Sequence, residues 1–170
     1  PMDIFMISGY INRNFKWMMK KALRKRPLVG YACEKARHIF VDKSGPKAIK
    51  ETIEKARATL QGGTSLVVFP EGSRTFTGHM GLFRKGAFQL ADDLQLPVVP
   101  VTIDGSFDVL TRMAGLNFVK RHPMRLVIHK PIYPTSHSPE DIKQTMEESY
   151  RVIMAALPEK YQGYVKNEDQ

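Results

Sequence analysis

The run Ser65-Leu66-Val67-Val68-Phe69 lies between Gly62-Gly63 and Pro70, and this bracketing constrains the fold more than any other feature. Short, apolar and β-branched, the run reads as a buried strand entered from a turn. Pro70 has no N–H to donate to a ladder and a fixed φ, so the strand ends there. Glu71, Gly72, Ser73 and Arg74 therefore fall on the loop beyond its C-terminal edge, where ligands collect in open α/β sheets.

Segments of opposite period alternate around this strand. His38-Ile39-Phe40-Val41-Asp42-Lys43 reads as a strand, and Ser44-Gly45-Pro46 as a turn and helix start. A helix over 47–61 places Ile49, Ile53, Ala56 and Leu60 on one face before Gly62-Gly63 stops it. Residues 85–94 fit a second helix with Phe88, Ala91 and Leu94 inward. Residues 98–103 read as a strand in which Pro100 predicts an edge, a bulge or a local irregularity. Residues 124–129 supply one more strand. Ser138 as N-cap, Pro139 at the first helical position and Glu140 and Asp141 in the first turn open a long helix. Its buried stripe is Ile142, Met146, Ser149 or Tyr150, Ile153 and Leu157. No repeat, low-complexity tract or linker divides the 170 residues. The expectation is an α/β fold in a single domain spanning 1–170, with a mixed, mostly parallel sheet covered by helices.

The net charge of +9 is concentrated near the start, where residues 1–43 hold ten Lys and Arg against three acids. Residues 13–43 interleave those cations with Phe15, Trp17, Met18, Met19 and Leu23. This pattern suits the surface of an anionic membrane, which attracts each basic residue by about 1 kcal/mol. Nucleic acid would accept the same charge, and a solvated basic face is the plain alternative. No run reaches the ~18 apolar residues of a membrane span, and no signal peptide is evident. Pro1 is not an initiator methionine, so a fragment or a processed product is expected.

On the loop, Gly72 permits close backbone approach to a ligand, and Arg74 offers a planar fork matched to phosphate. Glu71 can hydrogen-bond a hydroxyl. The alternative is a surface turn in which Glu71 and Arg74 form a weak exposed ion pair of roughly 0–1 kcal/mol. Lys43 ends one strand and Lys85 opens a helix, so both can point toward the edge that carries Arg74. Three cations there would make a phosphate site.

Other chemistries fail on their patterns. Gly81-Leu82-Phe83-Arg84-Lys85-Gly86 has P-loop glycine spacing, but Ala87 and Phe88 stand where Lys and Ser or Thr must follow. No G-x-S-x-G elbow activates Ser73. Cys33, the one cysteine, lies in an apolar stretch and reads as packing. The five histidines lack metal-ligand spacing, so no metal is expected.

The heptad Phe69-Pro70-Glu71-Gly72-Ser73-Arg74-Thr75 resembles the phosphate and glycerol motif of the glycerophospholipid acyltransferases, above all those acting on 1-acyl-glycerol-3-phosphate. Arg37 through Lys43 is similar to that family's block Gly-x-x-Phe-Ile-Asp-Arg, with Phe40, Val41 and Asp42 matching. Lys85-Gly86 and Val99-Pro100-Val101 are similar to the blocks that follow. The resemblance runs from about Pro1 to Pro131. It implies transfer of a fatty acyl group to the free hydroxyl of a lysophosphatidate, giving phosphatidic acid. The donor would be acyl-CoA or acyl carrier protein as co-substrate, with no cofactor. Arg74 and Lys43 would bind the acceptor's phosphate and Glu71 its glycerol hydroxyl. Lys85 would add positive potential, and Val99-Pro100-Val101 would shape the acyl-donor side. Lys43 stands where the family has Arg, and Arg37 where it has Gly.

The family's catalytic block, a histidine, four residues and an aspartate, does not occur in these 170 residues. The resemblance implies that it lies before Pro1, with Pro1-Met2-Asp3-Ile4-Phe5 following it. The expectation is a domain that binds substrate but turns it over negligibly as written. Its place would be peripheral, on the cytoplasmic face of a membrane, reached through basic residues 13–43, with no nucleic-acid partner. Two alternatives stand: an acyltransferase for glycerol-3-phosphate or another lysolipid, and a non-catalytic module that binds anionic lipid or RNA.

Overall fold

The computed structural model describes residues 2–42, 44–111 and 118–165. In chain order the elements are α1 (Met2–Tyr10), β1 (Phe15–Lys20), a 3₁₀ turn (Lys21–Lys25), α2 (Val29–Lys35), β2 (Ile39–Val41), α3 (Pro46–Thr59) and β3 (Ser65–Val67). They continue with α4 (Gly86–Asp93), β4 (Val101–Asp104), α5 (Ser106–Val109), β5 (Arg125–Ile128), α6 (Pro139–Ala155) and a second 3₁₀ turn (Glu159–Tyr161). The class is α/β, as the alternating periods require. The chain divides into two compact units, Asn12–Phe69 and Pro1–Ile11 with Pro70–Gln170.

The Asn12–Phe69 unit is a parallel sheet in the order β2-β1-β3. β1 lies at its centre, pairing Met18 with Ile39 on one side and Trp17 with Val67 on the other. The aromatic and methionine side chains of the basic segment thus belong to the middle strand. Phe15, Trp17, Met18 and Met19 are half-buried there, in a strand not expected from the sequence. Their Lys-interrupted pattern hid the strand, since Lys16 sends its ammonium along the sheet to the Ala36 carbonyl at 2.9 Å. Ile39 of β2 and Ala56 of α3 are fully buried, so α3 packs against β2 as the spacing predicts. Ile49 departs from that stripe: it is 48% exposed, at the solvated start of the helix. Gly62 and Gly63 hold φ of 62° and 79°, the left-handed region in which a Cβ would be strained, and this turns the chain into β3.

In the second unit β4 and β5 form an antiparallel pair, with Thr102 opposite Val127. The strand expected from residue 98 begins only at Val101. Val98 makes an isolated bridge to Ile132, and Pro100, unable to donate, offers its carbonyl to the His129 N–H at 3.0 Å. α6 lies across α4 and β4, burying Ile142 against a layer that includes Phe88 and Leu90. Ser138 caps α6 by accepting the Asp141 N–H at 3.1 Å. Thr145, rather than the expected Met146, fills the buried stripe, and Ser149 turns its hydroxyl back to the Thr145 carbonyl at 2.7 Å. That bond removes the cost of burying a hydroxyl, so small polar residues serve where the helix approaches closely.

Candidate active site loop

β3 ends at Val67, so Val68 and Phe69 of the expected strand already lie outside the ladder before Pro70, and the chain then runs through Glu71 to Lys85 before α4 begins. Two bonds close this loop on itself. The Arg84 N–H donates to the Pro70 carbonyl at 2.9 Å, and the Gly81 N–H donates to Glu71 Oε2 at 2.7 Å. Thr75 adds a smaller turn, its Oγ1 accepting the Gly78 N–H at 2.9 Å. The motif residues 70–75 therefore sit on a base that is hydrogen-bonded from within.

Gly72 has a φ of 72°, and a Cβ built on it would lie 2.9 Å from Nε and 3.1 Å from Cζ of Arg84. The guanidinium of Arg84 thus rests against the bare Cα of the motif glycine. Sequence reasoning passed over Arg84, because it was seen only as an interior position of a failed P-loop. Its signal was the charge itself, a second basic residue beside Lys85 and in front of a helix.

Glu71 is held in an unusual state. Desolvation pushes its carboxyl up from 4.5 to about 7; the Gly81 bond opposes this, and the charge of Asp3 on α1 adds to it. Burial also raises the Tyr150 phenol, with the Glu71 charge as a further cause, which places Tyr150 of α6 within electrostatic reach of the loop. Phe83 meets the Tyr150 ring edge-on at 5.0 Å and stacks near Phe88 at 6.0 Å. Phe83, Phe88 and Tyr150 thus form an aromatic cluster at the end of the loop.

The remaining expected residues fall as follows. Phe69 is partly exposed and stacks on Trp17 at 5.7 Å, within the sheet unit. Ser73 and Arg74 are exposed on the loop. Lys85 is exposed at the N-cap position of α4, and Gly86 opens the helix. Val99 is 44% exposed, Pro100 is buried and Val101 is half-buried in β4. Lys43 lies outside the described residues; Arg74 and Lys85 are exposed on the loop and at the start of α4, and Arg84 lies against Gly72. Among the described residues no three His, Cys, Asp or Glu are grouped to hold a metal ion.

A model of the family described as Acyltransferase matches residues 1–104, more than half of the chain and all of the loop. The chain belongs to the acyltransferase family. The 1-acyl-sn-glycerol-3-phosphate acyltransferase of Cocos nucifera is 33% identical over 158 residues, covering 92% of the chain and 51% of the relative. A Helicobacter pylori protein of the same name is 28% identical over 153 residues, covering 88% of the chain and 64% of the relative. Among solved structures, the 1-acyl-sn-glycerophosphate (LPA) acyltransferase PlsC from Thermotoga maritima superposes with a TM-score of 0.68 at 27% identity, over 97% of the chain and 64% of that protein. This acyltransferase chain spans about half the length of the Cocos nucifera relative.

Proposed function

We propose that the chain is the acceptor-binding part of an enzyme that transfers a fatty acyl group to the free hydroxyl of a lysophosphatidate. The observation that carries this reading is the Arg84 guanidinium seated on left-handed Gly72, one residue after a carboxyl held near neutrality and two before Arg74. A phosphate needs planar donors and an approachable backbone, and a glycine with a guanidinium against it supplies both. Names of the relatives support the same substrate class.

In the transfer, the acceptor hydroxyl attacks the thioester carbonyl of acyl-CoA or acyl carrier protein. A C–O bond forms, the C–S bond breaks, and the hydroxyl proton passes through a general base to the departing thiol. Arg74 and Arg84 would hold the phosphate, and Glu71 would orient the glycerol hydroxyl. Val99, Pro100 and Val101 would line the donor side. By the family resemblance the base would be a histidine of a His-x4-Asp block, a spacing that these 170 residues do not contain. The basic first quarter would bring the protein to the cytoplasmic face of a membrane, where an amphipathic lysophosphatidate would lie.

Equilibrium binding tests this without requiring turnover. A short-chain lysophosphatidate held below its micelle concentration should bind in preference to glycerol-3-phosphate and to a lysophosphatidylcholine. Arg74→Ala should weaken it by roughly tenfold or more, the equivalent of about 1.4 kcal/mol. Equal affinity of wild type and variant would overturn the assignment. Tighter binding of glycerol-3-phosphate would move the acceptor to that compound.

A further inference from the structure

Residues 21–29, from the end of β1 to the start of α2, are all exposed, and they are not uniformly polar. Leu28 is 85% exposed, Val29 53%, Tyr31 66% and Leu23 39%. Leu28 also holds φ 62° and ψ −54°, a conformation that a bulky apolar side chain adopts only at a cost. A leucine strained and lifted into water at a loop tip has no folding rationale within its own unit.

The tip is nonetheless rigidly built. Gly30 is buried, and a Cβ placed on it would come 2.1 Å from the Arg24 carbonyl oxygen, so α2 is pressed directly onto the 3₁₀ turn. The Gly30 N–H donates to the Arg26 carbonyl at 2.8 Å and the Ala32 N–H to the Leu28 carbonyl at 2.9 Å. Arg24 and Glu34 pair across the two segments.

Around the apolar tip lies a basic collar. Residues 20–37 hold Lys20, Lys21, Arg24, Lys25, Arg26, Lys35 and Arg37 against Glu34 as the single acid. Glu34 pairs with Arg24 and Asp42 with Lys21, which leaves the excess at Lys20, Lys25, Arg26, Lys35 and Arg37. Lys35 Nζ stands 5.5 Å from the centroid of the Tyr31 ring, so a phenol and an ammonium share the boundary between tip and collar.

We infer that residues 21–35 are an interfacial wedge, in which Leu28, Val29 and Tyr31 enter the acyl boundary of an anionic bilayer while the surrounding cations contact its phosphates. An apolar tip inside a basic ring is complementary to an anionic lipid surface, whose charge lies outside its hydrocarbon. Tyrosine suits the junction, with an apolar ring and a polar end. RNA fits this tip poorly: its phosphates would meet Leu28 and Val29, and Tyr31 alone could stack on a base. The inference goes beyond the proposed membrane association of residues 13–43 by naming the inserting side chains, and it does not depend on the substrate assigned to the loop.

The test measures co-sedimentation with vesicles of phosphatidylcholine alone and of phosphatidylcholine with phosphatidylglycerol, beside a single-stranded RNA and the chain's own oligomeric state. Wild type should bind the anionic vesicles and not the neutral ones. Leu28→Asp with Tyr31→Asp should lower partitioning by roughly tenfold or more, at an unchanged far-ultraviolet circular dichroism spectrum. Lys25→Glu with Arg26→Glu should lower it too, and raised salt should do the same. Both variants should retain wild-type affinity for the short-chain lysophosphatidate in solution. Loss of that affinity in wild type would count against the acceptor loop and leave the wedge standing. Wild type that ignores anionic vesicles, an insertion variant that binds them unchanged, RNA bound more tightly than vesicles, or a dimer dissolved by Leu28→Asp would each overturn the wedge.

Discussion

Glu71 Oε2 accepts the backbone N–H of Gly81 at 2.7 Å, so one carboxyl group ties the first turn of the motif loop to its far side. The same carboxyl is raised from 4.5 to about 7, chiefly by burial, which couples loop closure to pH.

A carboxyl whose folded value lies above its unfolded value binds more protons in the native state. Stability therefore falls as pH rises from about 4.5 to about 7, and is level above that. At about 1.4 kcal/mol per unit the fall is on the order of a few kcal/mol. Glu71→Gln keeps an oxygen for Gly81 and removes the titration. Urea denaturation should find Glu71→Gln more stable than wild type at pH 8 and near parity at pH 4.5. A wild-type stability that rises between pH 4.5 and pH 7 while that of Glu71→Gln stays level would contradict the burial of this group.

Gly72→Ala sets a Cβ where φ is 72° and where Arg84 Nε would be 2.9 Å away. The guanidinium can swing aside, but the backbone cannot, so the strain of roughly 1–2 kcal/mol remains. Acceptor affinity should fall because Arg84 is displaced. A double-mutant cycle with Arg84→Ala separates the two effects: stability losses should add, while binding losses should not. Additive binding losses would mean that Arg84 does not act through this contact.

Arg84→Ala should weaken lysophosphatidate binding by roughly tenfold or more, about 1.4 kcal/mol, whereas Lys85→Ala should cost less and lose its effect at high salt. The first side chain lies against the motif glycine; the second is an exposed point charge at a helix start. The reverse order of effects, measured by titration calorimetry, would return the phosphate contact to Lys85.

Much of this arrangement is legible in the chain, and the gaps have physical causes. Gly62-Gly63 turn the chain into β3 through local backbone chemistry, whereas the ladder ends at Val67, before Pro70, because its pairing with β1 stops there. The cap at Ser138 and Pro139 is equally local, and α6 starts where they place it. β1 was missed because a central strand with Lys16 and Lys20 at its polar positions looks like a basic amphipathic stretch until its neighbours are known. Glu71 was read as a ligand for a hydroxyl, and its bond to Gly81 was invisible because a contact ten residues away depends on the whole loop path. Arg84 was hidden for the same reason.

The C-terminal turn should brace the motif loop. Tyr161 donates its hydroxyl to Asp108 Oδ1 at 2.6 Å, beside Lys160 at 3.3 Å, and its ring meets Phe107 at 5.9 Å and His79 at 6.2 Å. A Cβ on Gly78, in the middle of the loop, would come 2.7 Å from that ring. Burial favours the neutral form of Asp108, but the Tyr161 and Lys160 bonds outweigh it and hold the carboxyl below its ordinary value. A lowered carboxylate contributes stability above its unfolded value of about 3.8, and this is lost as pH falls through the folded value. Tyr161→Phe keeps the ring and removes the donor, so it should cost about 1–2 kcal/mol at pH 7. The deficit should shrink at acid pH, as pH falls through the lowered folded value of Asp108 and the carboxyl is protonated in both proteins. Thermal melts at the two pH values decide it: a deficit independent of pH would assign Tyr161 to ring packing alone, and no deficit at pH 7 would remove the brace.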